Sequence, residues 1–250
     1  MTTCYHPVHR LFFVHVPKCA GSAITGELRT SDGLWSARFV DDKLPGWVRD
    51  GLPNGHQPVR AIEMLTGKPL NWWEKIIVPI RNPFDQQLSQ WSFWRQRAKS
   101  RIAAGEAYHI DERCSVSLTL DRFVANPQSN GPVYTCGRRW REAGGVYRWW
   151  CTNWAGEIPG NVHILRVEDL PGNLSECLGV DCSDLKVTNT SEHQRWQDAY
   201  STDGLRAVRD KYAWSLSTWY PEILQEVGDI ITMREAEAVA PGLTSAGSTA

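Results

Sequence analysis

Apolar runs of strand length alternate along this chain with segments of helical periodicity. Leu11–Val16, closed by Pro17, predicts a buried strand, and Lys75–Ile80 and Val162–Val167 predict two more. Pro79 lies inside the second run and argues against a central position for that strand, because proline has no N–H to donate.

Helix start signals follow the first two of these strands. Ser22 is placed to cap a helix through Leu28, and Asn82 with Pro83 predicts the start of a helix to about Arg97. Two apolar sets recur at helical spacing: Phe84, Leu88 and Trp91 in that helix, and Leu205, Val208 and Tyr212 nearer the C-terminus.

This alternation predicts an α/β fold with a mostly parallel central sheet that is flanked by helices on both faces. Ligands of such sheets bind at the carboxyl ends of the strands. We expect one domain over residues 1–235, in which residues 98–148 form a helical segment over the site. Residues 236–250 are rich in Ala, Gly, Ser and Thr and predict a disordered tail.

The charged residues of the chain almost cancel. Among 250 residues, 27 Lys and Arg stand against 28 Asp and Glu, a net charge of −1, which excludes a polybasic nucleic-acid binder. No run approaches the roughly 18 apolar residues of a membrane helix, and the N-terminus has no apolar signal segment. We therefore expect a soluble cytoplasmic protein without a membrane partner.

The seven cysteines do not form a metal-binding pattern. Their number is odd, no CxxC occurs, and no Cys/His group has zinc-like spacing, so we expect no metal site. Reduced thiols are the expected state, and a Cys177–Cys182 disulfide is the alternative.

Tryptophan is the over-represented residue, with 13 in the chain. Most of these rings are expected in the core or in a site wall, and the alternative is that some stack on flat acceptor rings. The basic run 138–141 has two similar interpretations, a solvated face or a contact with an anionic acceptor.

The loop after the first strand has the composition of an anion site. Lys18 precedes Gly21 and the start of a helix, where backbone N–H groups and the helix dipole favour phosphate. The order differs from the nucleotide pattern GxxxxGK[ST], which disfavours an ordinary ATP or GTP enzyme. A surface lysine on a turn is the alternative.

A second basic loop follows the second strand. Arg81 ends that strand and Ser89 lies eight residues later, about two helical turns on. A guanidinium and a hydroxyl can hold a second phosphate. The alternative is an Arg that closes a helix cap and a Ser that fills a gap.

Four segments together resemble the PAPS-dependent sulfotransferases, whose donor is 3′-phosphoadenosine 5′-phosphosulfate (PAPS). Phe13–Ser22 resembles the family's 5′-phosphosulfate loop, and Ile80–Ser89 resembles its 3′-phosphate motif. Ile164–Leu170 and Val187–Ser191 resemble two later segments, and all four occur in the family's order. The resemblance implies a three-layer, P-loop-like fold and sulfuryl transfer from PAPS to an acceptor hydroxyl, without a metal.

The resemblance also implies roles for individual residues. Lys18 would stabilise the bridging oxygen as the product PAP leaves, and Arg81 with Ser89 would hold the 3′-phosphate. The remaining donor contacts would come from the first loop and the late segment: Cys19, Ala20, Gly21, Ser22, Ala23, Asn189 and Ser191.

Gly55-His56 points to the carbohydrate branch of the family, in which the histidine of a similar pair is the catalytic base. A titrating imidazole suits that role, so His56 is the first candidate and Glu63 is the alternative. His15 lies within a strand and is expected to be packed. A carbohydrate is accordingly the favoured acceptor class, and residues 98–148 would lie on the acceptor side.

The chain departs from the family at three points. Cys19-Ala20 stands where Thr-Gly is usual, and Ala20 adopts a positive φ less readily than Gly. Gln86 stands where an Arg is often found, and the chain has no Golgi anchor. A P-loop nucleotide kinase and a catalytically silent glycan- or nucleotide-binding protein are the alternative functions, and neither the acceptor nor the oligomeric state follows from the sequence.

Overall fold

The computed structural model describes residues 4–6, 9–32, 56–106, 115–125, 145–185 and 194–239. Their four strands form one mixed sheet with its strands in chain order. β1 pairs antiparallel with β2, and β2, β3 and β4 are parallel. The strands are β1 (Cys4–His6), β2 (Leu11–Phe13), β3 (Lys75–Ile80) and β4 (Val162–Arg166).

Ten helices accompany the sheet in the described ranges. They are α1 (Gly21–Asp32), α2 (Ile62–Thr66), α3 (Pro83–Ala103), α4 (Leu120–Ala125), α5 (Val146–Cys151), α6 (Gly172–Leu178), α7 (Trp196–Ala199), α8 (Thr202–Lys211), α9 (Ala213–Trp219) and α10 (Pro221–Val239). Short 3₁₀ turns cover Val59–Ala61, Leu70–Trp72 and Val167–Asp169, and residues 115–117 form one further helical turn.

Helices cover both faces of the sheet, as the alternation of strands and helices predicts. Phe12, Ile76 and Val78 point into the larger core, which α3, α5 and α8 to α10 complete. The strand neighbours of these residues, such as Phe13 and Ile77, point into a smaller core against α1 and α6. This alternation is the two-residue period of a β-strand that is buried on both faces.

Pro79 does lie in a central strand, contrary to our expectation. Ile77 faces β2, because its carbonyl accepts a hydrogen bond from Val14 N at 2.9 Å, and so Pro79 faces β2 as well. The β2 ladder ends at that level, and the Val14 carbonyl accepts from Val16 N at 3.1 Å. The acceptor opposite Pro79 therefore has a donor from within its own chain segment, and the missing proline N–H costs the ladder no hydrogen bond.

Several predicted boundaries shift by a few residues. The strand at Leu11 ends at Phe13, and α1 begins at Gly21, so Ser22 lies in the first turn and is not the N-cap. Asn82 is the N-cap of α3, because its Oδ1 accepts from Phe84 N at 3.0 Å. β1 was not predicted.

The chain remains helical past the predicted domain boundary at residue 235. α10 ends at Val239, so the first four residues of the predicted tail, 236–239, are helical, and residues 240–250 lie outside the described ranges. The segment 98–148 is described only at 98–106, 115–125 and 145–148.

Most of the described tryptophans belong to the core or pack against it. Trp73, Trp149, Trp150 and Trp196 are buried, whereas Trp154 is exposed.

Cys177 and Cys182 are not joined by a disulfide. Within the described ranges, no helix is long and apolar enough to cross a membrane, and no group of His, Cys, Asp and Glu could hold a metal ion. The basic run 138–141 lies outside those ranges.

Candidate anion-binding site

The segment between β2 and α1 is a tight loop with two strained residues. Lys18 and Ala20 have φ angles of 63° and 52°, in the left-handed region. A residue with a Cβ pays roughly 1 to 2 kcal/mol for that conformation. Strain of this kind persists only where surrounding contacts enforce it, and it is commonest at functional sites.

Buried side chains supply those enforcing contacts. Gln86 Nε2 donates to Pro17 O at 3.0 Å and lies 3.7 Å from Cys19 Sγ. The Tyr147 hydroxyl lies 3.6 Å from the same sulfur. Burial raises the pKa of the Cys19 thiol to about 12, so this sulfur stays protonated and is a packing group.

Lys18 is the perturbed cation of the loop. Burial and, to a smaller extent, the nearby positive charge of Arg81 together lower its pKa to about 8. Its Nζ lies 4.5 Å from the centre of the Phe93 ring of α3. Two cations that repel one another at the carboxyl ends of β2 and β3 form a site at which an anion would be stabilised.

The backbone around Arg81 is held from two sides. Tyr147 Oη donates to Arg81 O at 2.7 Å and accepts from Arg81 N at 3.1 Å. Glu168, just past β4, accepts from Asn82 N at 2.6 Å and from Tyr220 Oη at 3.0 Å. Glu168 therefore fixes the backbone at the end of β3.

The remaining predicted donor contacts differ in accessibility. Cys19 is fully buried, Ser89 is 2% exposed, and Ser22 is partly exposed in the first turn of α1. Gly21 approaches the His15 imidazole so closely that a Cβ at this position would overlap the ring. Asn189 and Ser191, together with Gly55, lie outside the described residues.

His56 lies beside the loop. Its Nδ1 is 2.7 Å from His15 O, and the two imidazole centroids are 4.4 Å apart. A carbonyl can only accept, so neutral His56 donates through Nδ1 and keeps its Nε2 lone pair. Burial lowers the pKa of His56, which favours this neutral form at pH 7. His15 is buried, as expected.

Glu63 lies at the other edge of the sheet. It accepts from Leu70 N at 2.9 Å and lines a cavity together with Trp73 and Asn161. Trp73 lies two residues before β3 and Asn161 immediately before β4, whereas Lys18 and Arg81 follow β2 and β3. Glu63 thus lies at the opposite edge of the sheet from the two cations, whereas His56 contacts His15, two residues past the carboxyl end of β2.

The residues that support the site could not be predicted from the sequence. Tyr147 is 66 positions from Arg81, to which its hydroxyl is bonded. Tyr212 is 126 positions from Gln86, and the Tyr212 hydroxyl donates to Gln86 Oε1 at 2.8 Å. In the sequence Gln86 is visible only as a departure from a motif. Its position at the start of a helix that follows a basic loop is a signal that points to such a supporting role.

No family model matches the sequence, and neither a curated protein nor a solved structure does. A functional proposal for this chain therefore rests on its fold, on the site and on the motif resemblance described above.

Proposed function

We propose that this protein is a PAPS-dependent sulfotransferase with a P-loop-like fold, and that it transfers a sulfuryl group to a hydroxyl, with carbohydrates as the favoured acceptor class. One observation carries the proposal. Lys18 and Arg81 follow the carboxyl ends of two parallel strands, Lys18 lies three residues before the 12-residue helix α1, and the charge of Arg81 contributes to the lowered pKa of Lys18. The resemblance of the loop and the Arg81 motif to sulfotransferase segments supports the same assignment.

The electrostatics of the site suit a doubly phosphorylated nucleotide. Without an anion, each cation raises the free energy of the other's charged form, because the two repel one another where burial has removed part of their hydration. A 5′-phosphosulfate beside Lys18 and the α1 N-terminus, with a 3′-phosphate towards Arg81, would remove that cost. ATP has no 3′-phosphate and would satisfy only one end of such a site.

The chemical step then needs an in-line arrangement. The acceptor oxygen forms a bond to sulfur while the bond from sulfur to the bridging oxygen of PAPS breaks, and the leaving group is PAP. Charge develops on that bridging oxygen, where the Lys18 ammonium would stabilise it. The acceptor proton would go to Nε2 of His56, whose Nδ1–H is held by the His15 carbonyl.

A transfer assay tests the proposal. Purified protein is incubated with PAPS that carries labelled sulfur and with a panel of hydroxyl acceptors, sugars first, and label on acceptor is measured. We expect transfer by the wild type, none by Lys18→Ala, and unchanged transfer by Lys68→Ala, a lysine that lies away from the loop. If Lys18→Ala keeps the wild-type rate, the proposed role of Lys18 is wrong, and if PAP binds without transfer to any acceptor, a silent binding protein is favoured.

A further inference from the structure

We propose that Tyr147 and Gln86 are positioning residues that lock the Lys18 loop against the Arg81 strand end, so that the two cations face one ligand. The ligand's identity, a nucleotide with 3′- and 5′-phosphates, rests on the proposed function. The positioning itself rests on contacts within the protein. Neither residue would touch the reacting atoms.

The Tyr147 hydroxyl joins the two loops at a single point. It donates to Arg81 O, accepts from Arg81 N, and also lies 3.6 Å from Cys19 Sγ, between the two strained residues of the first loop. β2 stops pairing with β3 before this level, so the tyrosine takes the place of a ladder partner for Arg81. Loss of this one oxygen would free both segments at once.

Gln86 holds the other end of the same loop. Its Nε2 donates to Pro17 O, the carbonyl directly before Lys18, at 3.0 Å. Its Oε1 is fixed in turn by the Tyr212 hydroxyl at 2.8 Å. The amide therefore has a defined orientation, and its side chain is 3% exposed, so water competes poorly for these bonds.

These contacts account for the strained backbone of the loop. Lys18 and Ala20 would relax from positive φ if nothing opposed them, because the left-handed region is unfavourable for both. The bonds to Pro17 and Arg81, together with the contacts to the Cys19 sulfur, oppose that relaxation. A relaxed loop would let the Lys18 ammonium move away from Arg81 and into solvent.

The chain provides matched controls for both residues. Tyr200 is also buried, and its hydroxyl donates to a backbone carbonyl outside both loops, Phe84 O, at 2.8 Å. Gln87 is buried next to Gln86, and its amide donates to the Tyr212 hydroxyl at 2.7 Å and not to the loop. Removal of these groups costs a buried hydrogen bond of the same kind while the loops keep their contacts.

The test compares PAP affinity across four variants by isothermal titration calorimetry at pH 7. We expect Tyr147→Phe and Gln86→Leu to weaken PAP binding about tenfold or more, the effect of losing about 1.4 kcal/mol of positioning. Tyr200→Phe and Gln87→Leu should stay within about twofold of the wild type. Equal losses in a positioning variant and its control would overturn the proposal, because the residues would then act only through general stability.

A second readout needs no nucleotide and separates this proposal from the proposed function. The pKa of Lys18 is measured from the pH dependence of its acetylation by acetic anhydride, followed by peptide mass spectrometry. It should rise from about 8 towards its ordinary value in Tyr147→Phe and Gln86→Leu, and stay unchanged in the two controls. If wild type fails to bind PAP, the proposed function falls and this readout decides the positioning claim alone.

The conservative variant protects the test against misfolding. Tyr147→Phe keeps the ring, which packs edge-on against Tyr212 with centroids 5.5 Å apart. It therefore decides the result if Gln86→Leu does not fold. An unchanged Lys18 pKa in folded Tyr147→Phe would overturn the proposal.

Discussion

Lys18 combines a positive charge, a strained backbone and a lowered pKa in one residue. Burial and Arg81 together bring the pKa of its ammonium to about 8, so the group begins to lose its proton just above neutral pH. An anion bound beside it would stabilise the protonated form and raise that pKa again. Ligand affinity and proton binding at Lys18 are therefore linked.

This linkage gives a pH dependence with a definite sign. PAP affinity should be nearly constant from pH 7 to just below 8 and then fall by up to tenfold per pH unit, because binding must first restore the proton. The range starts at pH 7 because a phosphate's own second pKa lies near 6. Titration calorimetry between pH 7 and 9.5 measures this, and Lys18→Arg should bind PAP without the decline above pH 8. A decline that persists in Lys18→Arg would show that another group titrates.

The proton-accepting role of His56 can be separated from its packing. His56→Asn keeps an amide N–H where Nδ1 now donates to His15 O, but it has no basic nitrogen. We expect the transfer rate to fall by roughly 100-fold or more, the usual contribution of a general base, while the Kd for PAP changes little. Rapid-quench rates and calorimetry on the same preparation measure both, and an equal fall in rate and affinity would make His56 a structural residue.

The residue types of the site follow from the sequence, but their environments do not. Lys18 and Arg81 stand out as basic residues in the loops that follow two predicted strands, and His56 stands out through the resemblance of Gly55-His56 to a sulfotransferase pair. The lowered pKa of Lys18 could not be predicted, since it depends on Arg81 and on burial by residues from distant parts of the chain. The position of Glu63 at the opposite edge of the sheet from the two cations likewise does not follow from the sequence.

At the scale of elements, the loop between β2 and α1 stores strain that a single substitution should release. Ala20 has a φ of 52°, where glycine is favoured, so Ala20→Gly should raise the free energy of unfolding by up to about 1 kcal/mol. Ala23 lies inside α1, and Ala23→Gly should lower the free energy of unfolding by roughly 1 kcal/mol, because glycine is unfavourable within a helix. Urea denaturation of both variants measures the two signs, and destabilisation by Ala20→Gly would mean that the loop is not strained at this residue.

The elements themselves were predicted best where their pattern was longest. β3 has the predicted bounds, and α3 begins at the predicted cap but runs six residues past the predicted end, because its last turns carry charged and small residues without an apolar stripe. β1 is three residues long, too short for any periodicity. The prediction that Pro79 argues against a central strand was wrong because β2 is short and ends before the level of Pro79. No local pattern in β3 shows the length of its neighbour.

For the whole molecule, the parallel strands bring the candidate groups to one edge of the sheet. Lys18 follows β2, Arg81 follows β3 and Glu168 follows β4, and all three lie at carboxyl ends. The α/β class could be predicted from the alternation of strands and helices. The network of Tyr147, Gln86 and Tyr212 could not, because it forms only when residues more than 60 positions apart are packed together.

Thermal unfolding with PAP and, separately, with ATP is the most direct test of the central claim, a site for a nucleotide with both 3′- and 5′-phosphates. At a hundredfold excess over Kd, a ligand that binds only the native state adds about 2.7 kcal/mol, or roughly 5 to 10 °C in Tm for a chain of this length. We predict a rise of that size with PAP and little change with ATP. A rise with ATP alone would favour a nucleotide kinase, and no rise with either would contradict the account.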